Sequence, residues 1–466
     1  MSQTINGRAG ITLFLVVVAL VSLMDGIDAS IVNVALPTMA TDFGTDTGTI
    51  AWVAMTYLIM LAGLLIFFAR IAKNGLIKKV LLLGLVLFTA SSLFCGISAS
   101  FEMLLIFRLL QGAGAAMMGA AAPMACVKYL SPAKLGMALG VLTLGWALGF
   151  ALGPGIGGLI TEAISWHWIF LINIPIGLMI LPLFVKAIPK DEGYSGSLDI
   201  AGGALLFTAI TCGVYAIQRA PYSDSSLLVA LTSAVCVISL AAFVIVESKI
   251  ADPLLNLKIF KHWKFNSVLV AYMLGNLVYM GMLFLFPFYM SVCLGFSEAK
   301  MGMYILLSPL VTLLICIPMG RWSDRTQRRS FALVACGILT VGCLIMVFYA
   351  ADYLILPLVA SLLCMGLMWG ICGGPMASRI IENVKDESKE MGSSVMTEFI
   401  YLGSTIGTAL FAMLFIFGSG SGNISFEVLP PEVFLDGFIF ASIAGTVLAV
   451  IAVVLSLIVK EPKRSN

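Results

Sequence analysis

The chain is poor in charge. Of its 466 residues, 11% are Asp, Glu, Lys or Arg, against 61% hydrophobic. A soluble domain carries about 25% charged residues, so a large solvated domain is excluded. Histidine is nearly absent, with His167 and His262 alone. That is too little for a metal site or a catalytic triad, and neither a metal nor an enzyme is expected. Ten cysteines are present, but no CxxC pair and no Cys–His cluster occurs. They read as small apolar residues. There is no GxxxxGK[ST] loop, and no connection is long enough for an ATP-binding domain. An ion gradient is therefore the expected energy source, with no cofactor. The net charge of +2 gives no reason to expect nucleic acid. No small-residue cleavage site follows the first apolar run, which reads as a retained helix rather than a signal peptide.

What the chain has is apolar length. A crossing helix needs about 17–25 residues, and fourteen runs satisfy this: 11–36, 49–69, 80–99, 103–127, 137–160, 168–185, 200–217, 227–246, 268–294, 304–320, 331–350, 354–377, 395–418 and 438–459. The seventh and eighth could instead form a shallow hairpin. If the two ends and the even-numbered connections face the cytoplasm, that side holds 23 of the 26 Lys and Arg. The other side holds Arg219 and Lys300, and Arg108 lies within a span. Such asymmetry sets orientation and places both termini in the cytoplasm of a multi-pass membrane protein, expected in a prokaryotic inner membrane as a monomer.

The connections 69–79 and 320–329 share a small-Arg-x-small-x-x-x-basic-basic pattern, 251 residues apart. The expected fold is all-α integral membrane: fourteen transmembrane helices, arranged as two pseudo-symmetric six-helix bundles (1–190 and 263–466) plus a two-helix insert and linker (191–262). Transporters built from repeats place the substrate between halves near the midplane.

Three charges stand where hydrocarbon is expected: Asp25, Asp28 and Arg108. Each costs roughly 2.5–3.5 kcal/mol on insertion scales, a cost tolerated when the charge faces protein or a water-filled path. Asp25 and Asp28 are three apart and share a helix face. Two carboxylates this close in low dielectric do not both ionise easily, and one is expected to exchange a proton. The alternatives are that one of them pairs with Arg108 or caps a broken helix. Arg108 either lines an interior or snorkels outward; Gln111, one turn deeper, favours a polar interior. Gly149, Gly153 and Gly157 recur every four residues, with Gly158 beside them and Pro154 between. A glycine stripe admits a close helix partner, either as plain packing or as a movable contact.

Four stretches resemble the major facilitator superfamily, in particular its fourteen-helix drug:proton antiporter branch. They are Asp28-Ala-Ser-Ile-Val-Asn-Val-Ala-Leu-Pro37, Arg108-Leu-Leu-Gln-Gly-Ala-Gly114, Gly149-Phe-Ala-Leu-Gly-Pro-Gly-Ile-Gly-Gly158 and the loop Gly320–Arg329. Trp166-His-Trp-Ile-Phe-Leu-Ile-Asn-Ile-Pro-Ile-Gly177 is similar to the branch as well. The resemblance implies a proton-coupled exporter working by alternating access, with Asp28, Asp25 and Arg108 coupling protons. The proton is expected to enter from outside at Asp28, shared with Asp25, and Arg108 to be the electrostatic partner of Asp28. It makes the glycine stripe a pliable contact and Gly320, Arg321, Asp324 and Arg325 a conformational loop. In the first-half loop Lys73 replaces the family's usual Asp. It either is solvated or pairs with an acid such as Glu390, in which case a reciprocal charge swap restores activity.

The substrate is less constrained. Asp25, Gln111, Tyr57, Trp146, Asn276, Tyr279 and Glu398 are the candidate cavity residues. Glu398 could equally be interfacial, and Asp25 could contact substrate rather than proton. Aromatics and methionines around Asn276 suit small lipophilic cations. An exporter of an endogenous metabolite or organic anion is the alternative within transport. A passive channel or a non-transporting sensor is the alternative outside it.

Overall fold

The computed structural model describes residues 5, 7–191, 193, 198–222, 225–250, 253–255, 257–261, 263–326, 330–382, 389–421 and 424–458. Within them, the side chains at 132–133, 323–326, 330, 374–375, 377–382, 389–394, 427 and 458 lie outside what is described. His262 and the side chains of Asp324, Arg325 and Glu390 thus lie outside the described residues.

The chain is all-helical: α1 (Arg8–Asp42), α2 (Thr47–Ile50), α3 (Trp52–Ile71), α4 (Ile77–Gly96), α5 (Phe101–Tyr129), α6 (Pro132–Ala163), α7 (Trp168–Leu171), α8 (Asn173–Ala187), α9 (Ile200–Arg219), α10 (Ser226–Lys249), α11 (Trp263–Val292), α12 (Glu298–Ile305), α13 (Leu307–Thr326), α14 (Ser330–Tyr349), α15 (Ile355–Glu382), α16 (Lys389–Ser419) and α17 (Pro431–Ile458). Among the described residues thirteen segments are long and apolar enough to cross a membrane. One of them, Thr47–Gly96, has 50 residues. A straight helix of that length spans about 75 Å, against about 30 Å of hydrocarbon. It does not run straight. A π-helical turn, Ala72–Leu76, holds Gly75 at φ +111, a backbone state that a Cβ disfavours. The break separates α3 from α4.

Asp191 secures the start of α4. Its two carboxylate oxygens accept the backbone N–H groups of Lys78 at 2.8 Å and Lys79 at 3.0 Å. Negative charge at a helix N-terminus is stabilising. The Lys78 ammonium reaches back to the carbonyl of Ile188 at 2.6 Å. Lys73 itself is exposed.

Two compact units emerge. The first holds Met1–Met39, Trp52–Gly213 and Ala230–Leu254; the second holds Ala40–Ala51, Val214–Val229 and Leu255–Asn466. In the first unit, α6 lies against α1 along its glycines. A Cβ at Gly145 would strike the Ala19 carbonyl, one at Gly149 the Leu23 carbonyl, one at Gly153 the Ile27 carbonyl and Ser30 hydroxyl, and one at Gly157 the Ile31 carbonyl. From the other side, a Cβ at Gly26 would strike the Trp146 carbonyl. Gly158 is buried in the same helix. The stripe therefore lets two backbones touch on either side of Asp25 and Asp28. Helix α9 docks on α3 in a related way, with the Phe207 ring over Gly63 and the Phe67 ring over Gly203. The outward side of α10 is apolar and bare: Leu227 is 73% exposed, and Val237 and Ile238 are 67% exposed. Such a surface suits lipid.

In the second unit the short α2 is clasped. Asp46 caps it, accepting from the backbone N–H of Gly48 at 2.8 Å and of Thr49 at 2.9 Å, and from the Thr49 hydroxyl. The Tyr222 hydroxyl donates to the same carboxylate at 2.8 Å, and the Gln218 amide donates to the Gly48 carbonyl. Burial and then the neighbouring Asp46 push the Tyr222 phenol well above the usual tyrosine range, so its hydroxyl stays a donor. The tip joining α9 to α10 thus pins the connection after α1. At Gly320 an added Cβ would meet nothing within 4 Å among the described residues.

The glycine contacts predict opposite signs for one substitution type. Gly149→Ala meets the α1 backbone and should destabilise the protein by about 1–3 kcal/mol. Gly140→Ala, with open space at its Cβ, should stabilise by up to about 1 kcal/mol through helix propensity. Thermal unfolding in detergent compares the two; equal shifts of the same sign would contradict the close approach.

Candidate functional site

The polar centre of the first unit is built on Asp28, whose side chain is fully enclosed. Three long side chains donate to it. Arg108 Nη1 lies 2.7 Å from Oδ2. Gln111 Nε2 lies 2.8 Å from Oδ1, and Asn173 Nδ2 lies 3.2 Å from the same oxygen. Arg108, 2% exposed, has further acceptors in the Val53 carbonyl at 3.0 Å and Gln111 Oε1 at 2.8 Å. Its guanidinium lies 4.4 Å from the centre of the Tyr57 ring and 5.6 Å from that of Phe170. Ser92 completes the floor, accepting from Gln111 at 2.8 Å and Asn173 at 3.4 Å and donating to the Phe88 carbonyl at 2.8 Å.

Local sequence explains the convergence. Arg108 and Gln111 are three apart on α5 and share a face. The run of small residues after them, Gly112-Ala-Gly-Ala-Ala116, is buried. It lets α3 and α4 close in: a Cβ at Gly112 would meet the Tyr57 backbone, and one at Gly114 the Phe88 backbone. These contacts bring Tyr57 and Ser92 to the pair. Asn173, at the start of α8, arrives with α7 and α8.

Asp25, one turn before Asp28 on α1, has different company. The Tyr57 hydroxyl donates to Oδ1 at 2.9 Å. The Trp146 indole stands near the same carboxyl, but its N–H lacks hydrogen-bond geometry to any acceptor among the described residues. It stacks on Phe150 at 5.0 Å instead. Tyr57 therefore bridges the two acids' surroundings, with its hydroxyl on Asp25 and its ring face on Arg108. A cation over a ring face gains about 0.5–2 kcal/mol.

In the second unit, Asn276 on α11 donates to the Ile400 carbonyl at 2.6 Å and to the Ser404 hydroxyl at 2.8 Å on α16. The Tyr279 hydroxyl meets Ser308 at 3.2 Å. The Tyr272 and Tyr279 rings pack edge-on against Trp369 at 5.4 and 5.9 Å. Glu398 is 4% exposed, and neither carboxyl oxygen has a hydrogen-bond partner among the described residues. The predicted cavity residues thus fall into two groups: Asp25, Tyr57, Gln111 and Trp146 in the first unit, and Asn276, Tyr279 and Glu398 in the second. Among the conformational candidates, Arg321 is exposed.

Sequence reasoning assigned no role to Ser92 or Asn173. Asn173 lies in a stretch quoted for its family pattern, and an asparagine in an apolar run was the available signal. Ser92 follows another serine on an ordinary apolar helix and had none.

A family model, the Major Facilitator Superfamily, matches residues 18–408. The chain belongs to that superfamily. It is a multi-pass membrane transporter for small molecules, not an enzyme. It is 28% identical over 407 residues to the riboflavin transporter RibZ of Clostridioides difficile, covering 86% of this chain and 87% of that one. It is 27% identical over 408 residues to a multidrug resistance protein B homolog of Mycobacterium tuberculosis, covering 85% and 75%. The fold matches a bacterial homolog of the human lysosomal transporter Spinster, solved inward-facing and unoccupied. The TM-score is 0.70 at 15% identity, over 97% of this chain and 98% of that one.

The buried ion pair of this transporter generates a non-additive prediction. Arg108→Gln and Asp28→Asn should each lower unfolding stability by about 3–5 kcal/mol, because each strands the other charge. The double variant should lose clearly less than the sum. Additive losses would show that the pair is not coupled.

Proposed function

We propose that this transporter is a proton-coupled antiporter. It exports small lipophilic, cationic compounds by alternating access of two helical bundles, 1–190 and 263–466, joined through the 191–262 segment. Its chain crosses the membrane fourteen times, because the break at Gly75 turns Thr47–Gly96 into two crossings. Both ends lie in the cytoplasm of a prokaryotic cell, in its inner membrane. The protein works as a monomer, and the proton gradient supplies the energy without a cofactor.

The observation that carries this reading is the contrast between two neighbouring acids. Asp28 has an arginine and two amide donors. These fix it as a carboxylate, and its charge is balanced. Asp25 has one donor in hydrogen-bond geometry among the described residues, a phenol that can turn to accept. A proton can therefore add to and leave Asp25 while the Asp28–Arg108 pair stays intact. A proton arriving from outside binds Asp25 and removes its pull on the Tyr57 hydroxyl. The change reaches Arg108 through the Tyr57 ring 4.4 Å away. Return to the inward-open state releases the proton to the cytoplasm. Exchange of one proton for one monovalent cation moves no net charge, so the pH difference drives it; each pH unit supplies about 1.4 kcal/mol, or a tenfold concentration ratio.

The names of the two relatives point to different cargo. Multidrug resistance favours lipophilic cations, and the riboflavin transporter favours a metabolite. The test is a pH gradient imposed on proteoliposomes with cationic, neutral and anionic compounds, riboflavin among them. The wild type should concentrate cations against their gradient, and Asp25→Asn should only equilibrate them. Gradient-independent equilibration by the wild type would make the protein a passive channel. Uptake of riboflavin or of anions alone would replace the cation reading by the metabolite one.

A further inference from the structure

The stretch that leads into α11 in the second unit has two unlike sides. Leu257–Lys261 forms a short 3₁₀ helix, and α11 begins at Trp263. One side is packed. Ile259 is 5% exposed and Phe265 is fully buried. The Phe260 ring lies 6.1 Å from the ring of Phe265 and 6.1 Å from that of Phe399 on α16. The Asn266 amide donates to the Phe260 carbonyl at 2.6 Å, which holds the 3₁₀ turn against the start of α11. The stretch is therefore a fixed part of its unit.

The other side is basic and aromatic. Lys258, Lys261 and Lys264 recur every three residues, and all three are exposed. In a 3₁₀ helix residues three apart eclipse, so Lys258 and Lys261 stand in one row. Trp263, between Lys261 and Lys264, is 62% exposed. No acid occurs in the chain from 253 to 297, so no neighbour in sequence cancels this charge. Glu398, beside Phe399, is buried and presents no carboxylate to the outer face.

Depth follows from length. Helix α11 has 30 residues, about 45 Å at 1.5 Å per residue, against about 30 Å of hydrocarbon. Its apolar run starts at Val268, so Trp263 and Lys264 lie about 6–8 Å before that run, at headgroup level. Tryptophan favours that level, and lysines there meet the negative potential of anionic lipids. An acidic soluble partner would account for the lysines but not for a bare indole at the bilayer edge.

We propose that Lys261, Trp263 and Lys264, with Lys258 beside them, form a docking surface for anionic phospholipid in the leaflet they border. The ammonium groups pair with headgroup phosphates, and the Trp263 indole sits among the headgroups. Ile259 and Phe260, packed inward, keep the charged side turned to the membrane. The inference goes beyond the transport reading: it depends neither on the cargo nor on proton coupling.

The full-length protein is reconstituted in phosphatidylcholine vesicles that contain brominated phosphatidylglycerol or, at the same mole fraction, brominated phosphatidylcholine. Bromine quenches nearby tryptophan, and subtracting the signal of Trp263→Phe isolates the Trp263 part. In the wild type that part should be quenched more strongly by phosphatidylglycerol. Salt at about 1 M, where the screening length is about 3 Å, should shrink the difference. Lys261→Gln and Lys264→Gln should each lower the relative affinity for phosphatidylglycerol about fivefold, while Lys261→Arg/Lys264→Arg should keep it. Both lysines are exposed, so thermal unfolding of these variants should match the wild type, and the salt comparison needs no variant. Equal quenching by the two lipids in the wild type overturns the proposal and favours a soluble acidic partner for the lysines. A preference that survives in Lys261→Gln/Lys264→Gln, or that salt leaves untouched, overturns it as well.

Discussion

Everything in the first unit depends on keeping the Asp28–Arg108 pair satisfied away from water. Neither group can be left alone at that depth. A buried pair is stable when its remaining donors and acceptors are met. Here they are met by parts of five helices: Asp28 on α1, the Val53 carbonyl and Tyr57 on α3, Ser92 on α4, Arg108 and Gln111 on α5, and Asn173 on α8. Long side chains reach a common point only if the backbones come close. The glycines and alanines of α5 provide that approach for α3 and α4, and the glycine stripe of α6 seats α1 from its other side. Small residues and buried charges, which look like separate features of the chain, are two halves of one requirement.

The same network divides labour between two carboxylates one turn apart. Three donors and a full positive charge satisfy the two oxygens of Asp28. Asp25, held by a phenol and backed by an indole that finds no acceptor, is the freer group. In our account the Asp28–Arg108 charge balance is structural and the mobile proton sits beside it. Tyr57 is the physical link, since one side chain touches both acids' surroundings through its two chemically different parts.

Much of this was legible before any contact was known, and the reasons are specific. Asp25, Asp28 and Arg108 stand out because hydrocarbon excludes charge. Gln111 follows from helical spacing, and the glycine stripe from its four-residue period. The α1 partner of that stripe, the Phe–Gly docking of α9 on α3 and the floor made by Ser92 were not legible, because each is a contact between distant segments that leaves no local pattern. Lys73 left two readings open, a solvated residue or a partner of Glu390. The structure leaves it exposed and puts Asp191, more than a hundred residues later, on the backbone at the start of α4. Within the 191–262 segment, residues up to Gly213 and Ala230–Leu254 group with the first unit, while the tip, Val214–Val229, clasps α2 in the second.

The central claim is that Asp28 stays ionised while Asp25 takes the proton. Infrared difference spectroscopy of the protein in bilayers, recorded across the pH range that drives transport, observes carboxyl protonation directly. Our account predicts a protonated-carboxyl band that is lost in Asp25→Asn and kept in a variant altered at Glu398, with no band assignable to Asp28. A band that survives Asp25→Asn and disappears in Asp28→Asn would contradict it.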